Sequence, residues 1–108
     1  MAGSQTTVYA SAARTATPTA VIVNARNMSA ARIVIDVTAV TSTPSVTYTI
    51  DVLDAASGKY VNVYTSSAIA TVSTTVALVQ GLTGNVRVTA THGNANSITY
   101  TVALHWTR

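Results

Sequence analysis

Alternation of apolar and polar side chains constrains this chain more than any other feature of its sequence. Ile33, Ile35, Val37 and Ala39 fall on one face of an extended segment, with Val34, Asp36, Thr38 and Val40 on the other. After the turn residues Thr41-Ser42-Thr43-Pro44-Ser45, Val46, Tyr48, Ile50 and Val52 alternate in the same way with Thr47, Thr49, Asp51 and Leu53. A period of two is the signature of a strand buried on one face, because successive side chains point to opposite sides. Thr and Val dominate both segments, as β-branched residues do on a pleated surface. The two segments are expected to pair as a hairpin, with Val37 opposite Tyr48, Ile35 opposite Ile50, Ile33 opposite Val52 and Asp36 opposite Thr49. The competing register would set Asp36 against Asp51, an unfavourable pairing of like charges.

The same reading extends along the chain. Residues 1–20 are rich in Ala, Ser and Thr with little periodicity beyond Val8-Tyr9, and read as an N-terminal arm or edge strand outside the main core. Residues 21–108 are read as one β-sandwich domain. Ala20-Val21-Ile22-Val23 has the size of a short strand, and Asn27-Met28-Ser29-Ala30-Ala31 can form one helical turn. Asp54-Ala55-Ala56-Ser57-Gly58-Lys59 is a turn in which Asp54 accepts from backbone N–H groups and Gly58 takes a positive φ. Tyr60 to Tyr64 alternates again, Ser73 to Gln80 places Val76 and Leu78 on one face, and Val86, Val88 and Ala90 lie opposite Arg87, Thr89 and Thr91. Gly93-Asn94-Ala95-Asn96-Ser97 reads as a hairpin loop before the inward stripe Ile98, Tyr100, Val102, Leu104 and Trp106. About eight short strands without an amphipathic helix predict an all-β fold, an antiparallel β-sandwich or small barrel.

Composition narrows what such a fold is for. The 108 residues suffice for one domain. Charged residues are only 8% of the chain, so a surface of Thr, Ser, Ala and Asn gives weak electrostatic protection against association and suits permanent partners. The net charge of +3 comes from scattered cations rather than a basic stripe with interleaved aromatics, which argues against direct nucleic-acid binding. No apolar run approaches the roughly 20 residues of a membrane-spanning helix, so no membrane association is expected. The start lacks a basic region followed by an apolar one, so the expectation is synthesis and assembly in the cytoplasm. With no cysteine, the fold rests on packing and hydrogen bonds.

Candidates for chemistry are few. There are two His, three Asp, no Glu and no Cys. A serine hydrolase needs a base and an orienting carboxylate beside its nucleophile, and Gly-x-Ser-x-Gly is absent. Ser57-Gly58-Lys59 fails as a phosphate loop because Leu53 occupies the leading glycine position. Asp51 and Asp54 lack the further oxygen ligands of a calcium loop, and His92 and His105 have no paired ligand nearby in sequence. No catalytic, cofactor-binding or metal-binding residue is therefore assigned. His105 lies on the outward face with Thr99, Thr101 and Ala103. Trp106 belongs by parity to the core stripe and alternatively to a subunit interface, where Trp, Tyr and Arg serve as anchors. The candidate partner-contact residues are Val8, Tyr9, Arg14, Arg26, His105, Trp106 and Arg108, with an outward row of Thr38, Val40, Thr47 and Thr49 as a further contact surface.

One set of sequence words carries a resemblance. Ile35-Asp36-Val37-Thr38-Ala39-Val40, Thr43-Pro44-Ser45-Val46-Thr47, Ser57-Gly58-Lys59-Tyr60 and Ser97-Ile98-Thr99-Tyr100 resemble, in this order, small structural proteins of tailed bacteriophages. The similarity runs from about Ile33 to Val102 and takes in Gly81-Leu82-Thr83 and Arg87-Val88 to His92-Gly93. Many of those proteins carry a longer loop between the Gly-Leu-Thr segment and the Arg-Val strand, where this chain has little beyond Gly84-Asn85, so a contact made by that loop would be altered or absent. The resemblance implies a component of the virion, located in the phage head. Its expected role is a capsid decoration or cement protein bound to the major capsid protein and to copies of itself as a trimer. A tail or head-tail connector component is the alternative within the particle. A glycan-binding β-sandwich is the alternative outside it, with Tyr60, Tyr64, Asn62 and the loop from Asn94 to Asn96 as candidate contacts.

Overall fold

The computed structural model describes residues 4–25, 30–80, 82 and 84–107, apart from the side chains of residues 4, 30 and 107. Eight strands run in chain order: β1 Ser4–Arg14, β2 Val21–Asn24, β3 Ala30–Val40, β4 Val46–Asp54, β5 Lys59–Thr65, β6 Ser73–Val79, β7 Asn85–His92 and β8 Ile98–Thr107. They form two four-stranded antiparallel sheets packed as a sandwich, with orders β1-β8-β3-β6 and β2-β7-β4-β5, and no closed barrel. The pairs β1·β8, β2·β7, β3·β6 and β4·β5 are those of one long hairpin rolled up on itself, the order of a double-sheet jelly roll.

Alternation selects the interior as expected. Ile33, Ile35 and Val37 from β3, Val46, Tyr48 and Ile50 from β4, Val86, Val88 and Ala90 from β7, and Ile98, Tyr100, Val102 and Leu104 from β8 are buried in one cluster. Each fully buried aliphatic side chain contributes roughly 1.5–3 kcal/mol relative to exposure. With no disulfide available, this interior is the main source of stability.

The expected β3–β4 hairpin does not form, because the two strands lie in different sheets. Both edges of β3 are taken, Val37 pairing with Ser73 on β6 and Tyr100 on β8, while Tyr48 on β4 pairs with Ala90 on β7. Two strands that each bear one apolar face bury more by facing each other across the sandwich than by lying side by side. The aspartates are thereby separated: Asp36 accepts from the Thr74 hydroxyl at 3.0 Å, and Asp51 pairs with Arg87. The loop before β8 is likewise a crossing between sheets and not a hairpin. The two crossings are laced together, Thr41 N–H donating to Ser97 O at 2.9 Å and Gly93 N–H to Ser45 O at 2.8 Å. Ser42 takes a positive φ of 54° in the first of them.

Bulges account for the remaining departures. A register shift between Val37 and Ala39 turns Ala39 out to solvent and brings Val40 against the core, opposite Ile98. The proposed outward row is thus divided: Thr38 is exposed on one sheet, Thr47 and Thr49 belong to the other, and Val40 packs inward. A shift on β5 between the partners of Ile50 and Asp51 puts Tyr60 opposite Leu53 on the outer face and Tyr64 opposite Ile50 against the core, so the two tyrosines do not share a face. Between these strands Gly58 has φ 72°, as the turn requires, and Asp54 accepts from Ser57 Oγ at 2.8 Å and Ala56 N–H at 3.2 Å. Those bonds hold the Asp54 carboxyl below its usual pKa. The segment 27–31, able to form one helical turn but not assigned as a helix, lies outside the described residues except for Ala30 and Ala31, which open β3.

Candidate binding surface

The N-terminal segment is not peripheral. β1 forms one edge of its sheet against β8, and Val8 and Tyr9 are both buried. Two consecutive residues can point inward because the register skips Val8, Thr7 pairing with Ala103 and Tyr9 with Val102. Both belong to the set expected from the sequence to contact a partner. Burial removes them from the surface of the single chain, because each is more effective excluding water from the interior than waiting for a neighbour.

Tyr9 joins a polar cluster at the end of the sandwich. Its ring meets Tyr100 edge-on at a centroid separation of 6.2 Å, and Tyr100 meets Tyr48 edge-on at 5.3 Å. The Tyr9 hydroxyl lies 3.0 Å from Thr19 O and 3.2 Å from Val88 O, joining β1 to the opposite sheet. Arg14 folds back over this group. Its guanidinium carbon lies 4.7 Å from the Tyr100 ring centroid and 5.4 Å from that of Tyr9, and it donates to the carbonyls of Ala10, Ala12 and Tyr100. Arg14 is therefore engaged within its own chain. Tyr100 Oη lies 3.0 Å from His92 Nε2, while His92 Nδ1 and Tyr48 Oη are buried with no hydrogen-bond partner among the described residues.

Electrostatics at this end follow from burial. Burial pushes the Tyr100 hydroxyl up to about 12, the Arg14 charge opposing and Tyr9 adding to the rise. Tyr48 and Tyr9 are also raised, chiefly by burial, and His92 is lowered by burial and then by Arg14. A neutral His92 beside a neutral Tyr100 is the resulting state near neutral pH. The three carboxylates are committed elsewhere: Asp36 to Thr74, Asp54 to its turn, and Asp51 to Arg87 at 3.1 Å and to Asn62. Among the described residues, no group of three or more His, Cys, Asp or Glu side chains is arranged to hold a metal ion.

The outer face of the β1-β8-β3-β6 sheet has a different character. Register places Leu78, Arg32, His105 and Gln5 in one row across it, Val76, Val34, Ala103 and Thr7 in the next, then Thr74, Asp36 and Thr101. Val76 and Leu78 are 56% and 66% exposed, among the most exposed large apolar side chains described. The common face expected for them is this outer one. His105 is partly buried on the same face, and Trp106 is partly buried, packed against the core from the end of the inward stripe. Arg26 and Arg108 lie outside the described residues. The β6 surface was not singled out from the sequence; its signal is two large apolar residues that share parity with Thr74 rather than with buried Val79.

The candidate glycan contacts are engaged within the chain. Asn62 Nδ2 lies within bonding distance of Ile50 O, Asp51 Oδ1 and Tyr64 O, and its Oδ1 accepts from Thr65. Asn94 and Asn96 both donate to Thr43 O at 3.0 Å. The Tyr60 ring is covered by Arg87, whose guanidinium carbon lies 4.4 Å from its centroid. No described helix is long and apolar enough to cross a membrane. Comparison with family models, with curated proteins and with solved structures gives no match.

Proposed function

We propose that this chain is a structural component of a tailed-phage particle: a decoration protein that binds the outer surface of the head and bridges neighbouring capsomers. Its partners in this reading are the major capsid protein and further copies of itself. The observation that carries the reading is the strand order β1-β8-β3-β6 over β2-β7-β4-β5. Double-sheet jelly rolls recur in viral capsid domains and in lectins, an analogy at the level of fold. Between those two settings, the internal use of Asn62, Asn94 and Asn96 favours the capsid, since a sugar-binding loop needs its amides free for hydroxyl groups. The ordered words resembling tailed-phage structural proteins support the same setting, as do a sparsely charged chain and an exposed apolar face.

A cement protein acts only in the assembled shell, where each copy adds a modest bridging energy that is multiplied over the lattice. Virions lacking the protein are expected to release genome at lower temperature and on milder osmotic shock, and re-addition of purified protein to depleted heads restores resistance. Unchanged resistance in both assays overturns cementing. Copy number per virion, counted by quantitative mass spectrometry, separates a head lattice protein from a tail or connector component.

A further inference from the structure

We infer that β6 is the docking edge for a second copy of this chain, the two β6 strands pairing antiparallel about a two-fold axis through Val76. The inference stands independently of the proposed phage role. Each sheet has two edge strands: β1 and β6 in one, β2 and β5 in the other. An unpaired edge offers a row of backbone donors and acceptors to any other strand, and proteins blunt such edges with bulges, charges or short length. β1 carries two register shifts and is overlaid by Arg14; β2 is four residues long; β5 carries a shift and begins at Lys59. β6 has none of these devices. Its seven residues, Ser-Thr-Thr-Val-Ala-Leu-Val, contain no charge, proline or glycine, and it pairs with β3 from Ala31 to Val37 without a shift.

The pattern on this edge complements itself. With Val76 opposite the partner's Val76, Leu78 falls opposite the partner's Thr74 and Thr74 opposite the partner's Leu78. On β3, Arg32 lies beside Leu78, Val34 beside Val76 and Asp36 beside Thr74. The outer rows of the joined sheet then read Arg32, Leu78, the partner's Thr74, the partner's Asp36, and the same in reverse. The central row reads Val34, Val76, the partner's Val76, the partner's Val34. Each charged row ends in opposite signs, whereas parallel in-register pairing would end every such row in like charges. Across three strand spacings, about 14 Å, the attraction is small and screened, so it selects direction. Main-chain hydrogen bonds and the Val and Leu rows supply the affinity.

Sedimentation velocity on the full chain, from low-micromolar to millimolar concentration, is expected to show a reversible monomer–dimer equilibrium. Val76→Lys places two ammonium groups at the axis and is expected to weaken dimerisation on the order of a hundredfold. Its monomer keeps the parent's far-ultraviolet spectrum, since Val76 is exposed before docking. The chain has no cysteine, so Val76→Cys is expected to give a disulfide-linked dimer under mild oxidation, while Val61→Cys on β5 gives none. A monomer at millimolar concentration, a trimer, or a dimer unaffected by Val76→Lys overturns the assignment. So does equal cross-linking of the two cysteine variants.

Discussion

The sheet containing β8 has two edges that are held in opposite ways. β1 is irregular in its backbone yet fastened from within: Val8 and Tyr9 enter the core, the Tyr9 hydroxyl reaches the opposite sheet, and Arg14 closes over Tyr100. β6 is regular in its backbone yet scarcely fastened. Only Val79 is buried, Ala77 is partly buried, and its largest apolar groups point away from the protein. An edge strand can thus be secured by its side chains at the cost of ladder regularity. One that keeps the ladder instead leaves both backbone and apolar surface available to a neighbour.

The strongest test of this contrast removes the hub under β1. Tyr100→Ala is expected to cost about 3–5 kcal/mol in denaturant unfolding, the range for a large buried aromatic. In native-state hydrogen exchange the loss should fall first on β1 amides; equal acceleration in β6 would break the comparison.

Titration probes the same hub without mutation. With its pKa raised from an ordinary 10 to about 12, Tyr100 stabilises the fold fully below pH 10. That contribution is lost as the unfolded state releases its proton first and the pH climbs through about 12. His92 has the opposite sign. Its folded pKa is lowered, so its contribution is full above the ordinary value of 6.5 and is lost as the pH falls through the folded value. Thermal midpoints across both windows check the two signs, and Tyr100→Phe should remove only the Tyr100 share of the alkaline loss, Tyr48 and Tyr9 keeping theirs.

Tyr9→Phe keeps the ring and removes only the hydroxyl bridging toward Thr19 and Val88, so a loss of about 1–2 kcal/mol is expected, again registered at β1. Val76→Thr should change the stability of the monomer by less than about 0.5 kcal/mol, since an exposed β-branched residue replaces another. A larger loss would mean that β6 is fastened from its outer face after all.

Much of the sandwich is legible in the sequence because burial on one face writes itself as alternation. Every inward position anticipated in β4 and β7 is buried, and the stripe of β8 is buried through Leu104. Which strand lies beside which is not written in that way. Ile33, Ile35 and Val37 require an apolar surface opposite them, and β4 satisfies this equally as a lateral neighbour or as a facing layer. Bulges are hidden too: nothing in Val37-Thr38-Ala39 or in Asn62-Val63-Tyr64 declares that parity will reverse there. The role of Arg14 was out of reach for a different reason, since a guanidinium over two rings requires Tyr9 and Tyr100, 91 positions apart in the chain, to be neighbours already. The adjacent apolar pair Val8-Tyr9 in a small-residue segment was the readable hint that β1 is anchored.

The rolled-hairpin order also sets a timetable for biosynthesis. β8 is the last of the eight strands to leave the ribosome, yet it lies between β1 and β3 and contacts both along most of its length. Until it emerges, β1 has no strand to pair with and β3 has only one of its two neighbours. β4 and β5 are the one pair of consecutive strands that lie side by side, so they can form a local hairpin while the rest of the chain waits. Completion of the sandwich therefore waits for β8 and is dominated by distant pairings, which places its folding among the slow, millisecond-to-second β topologies.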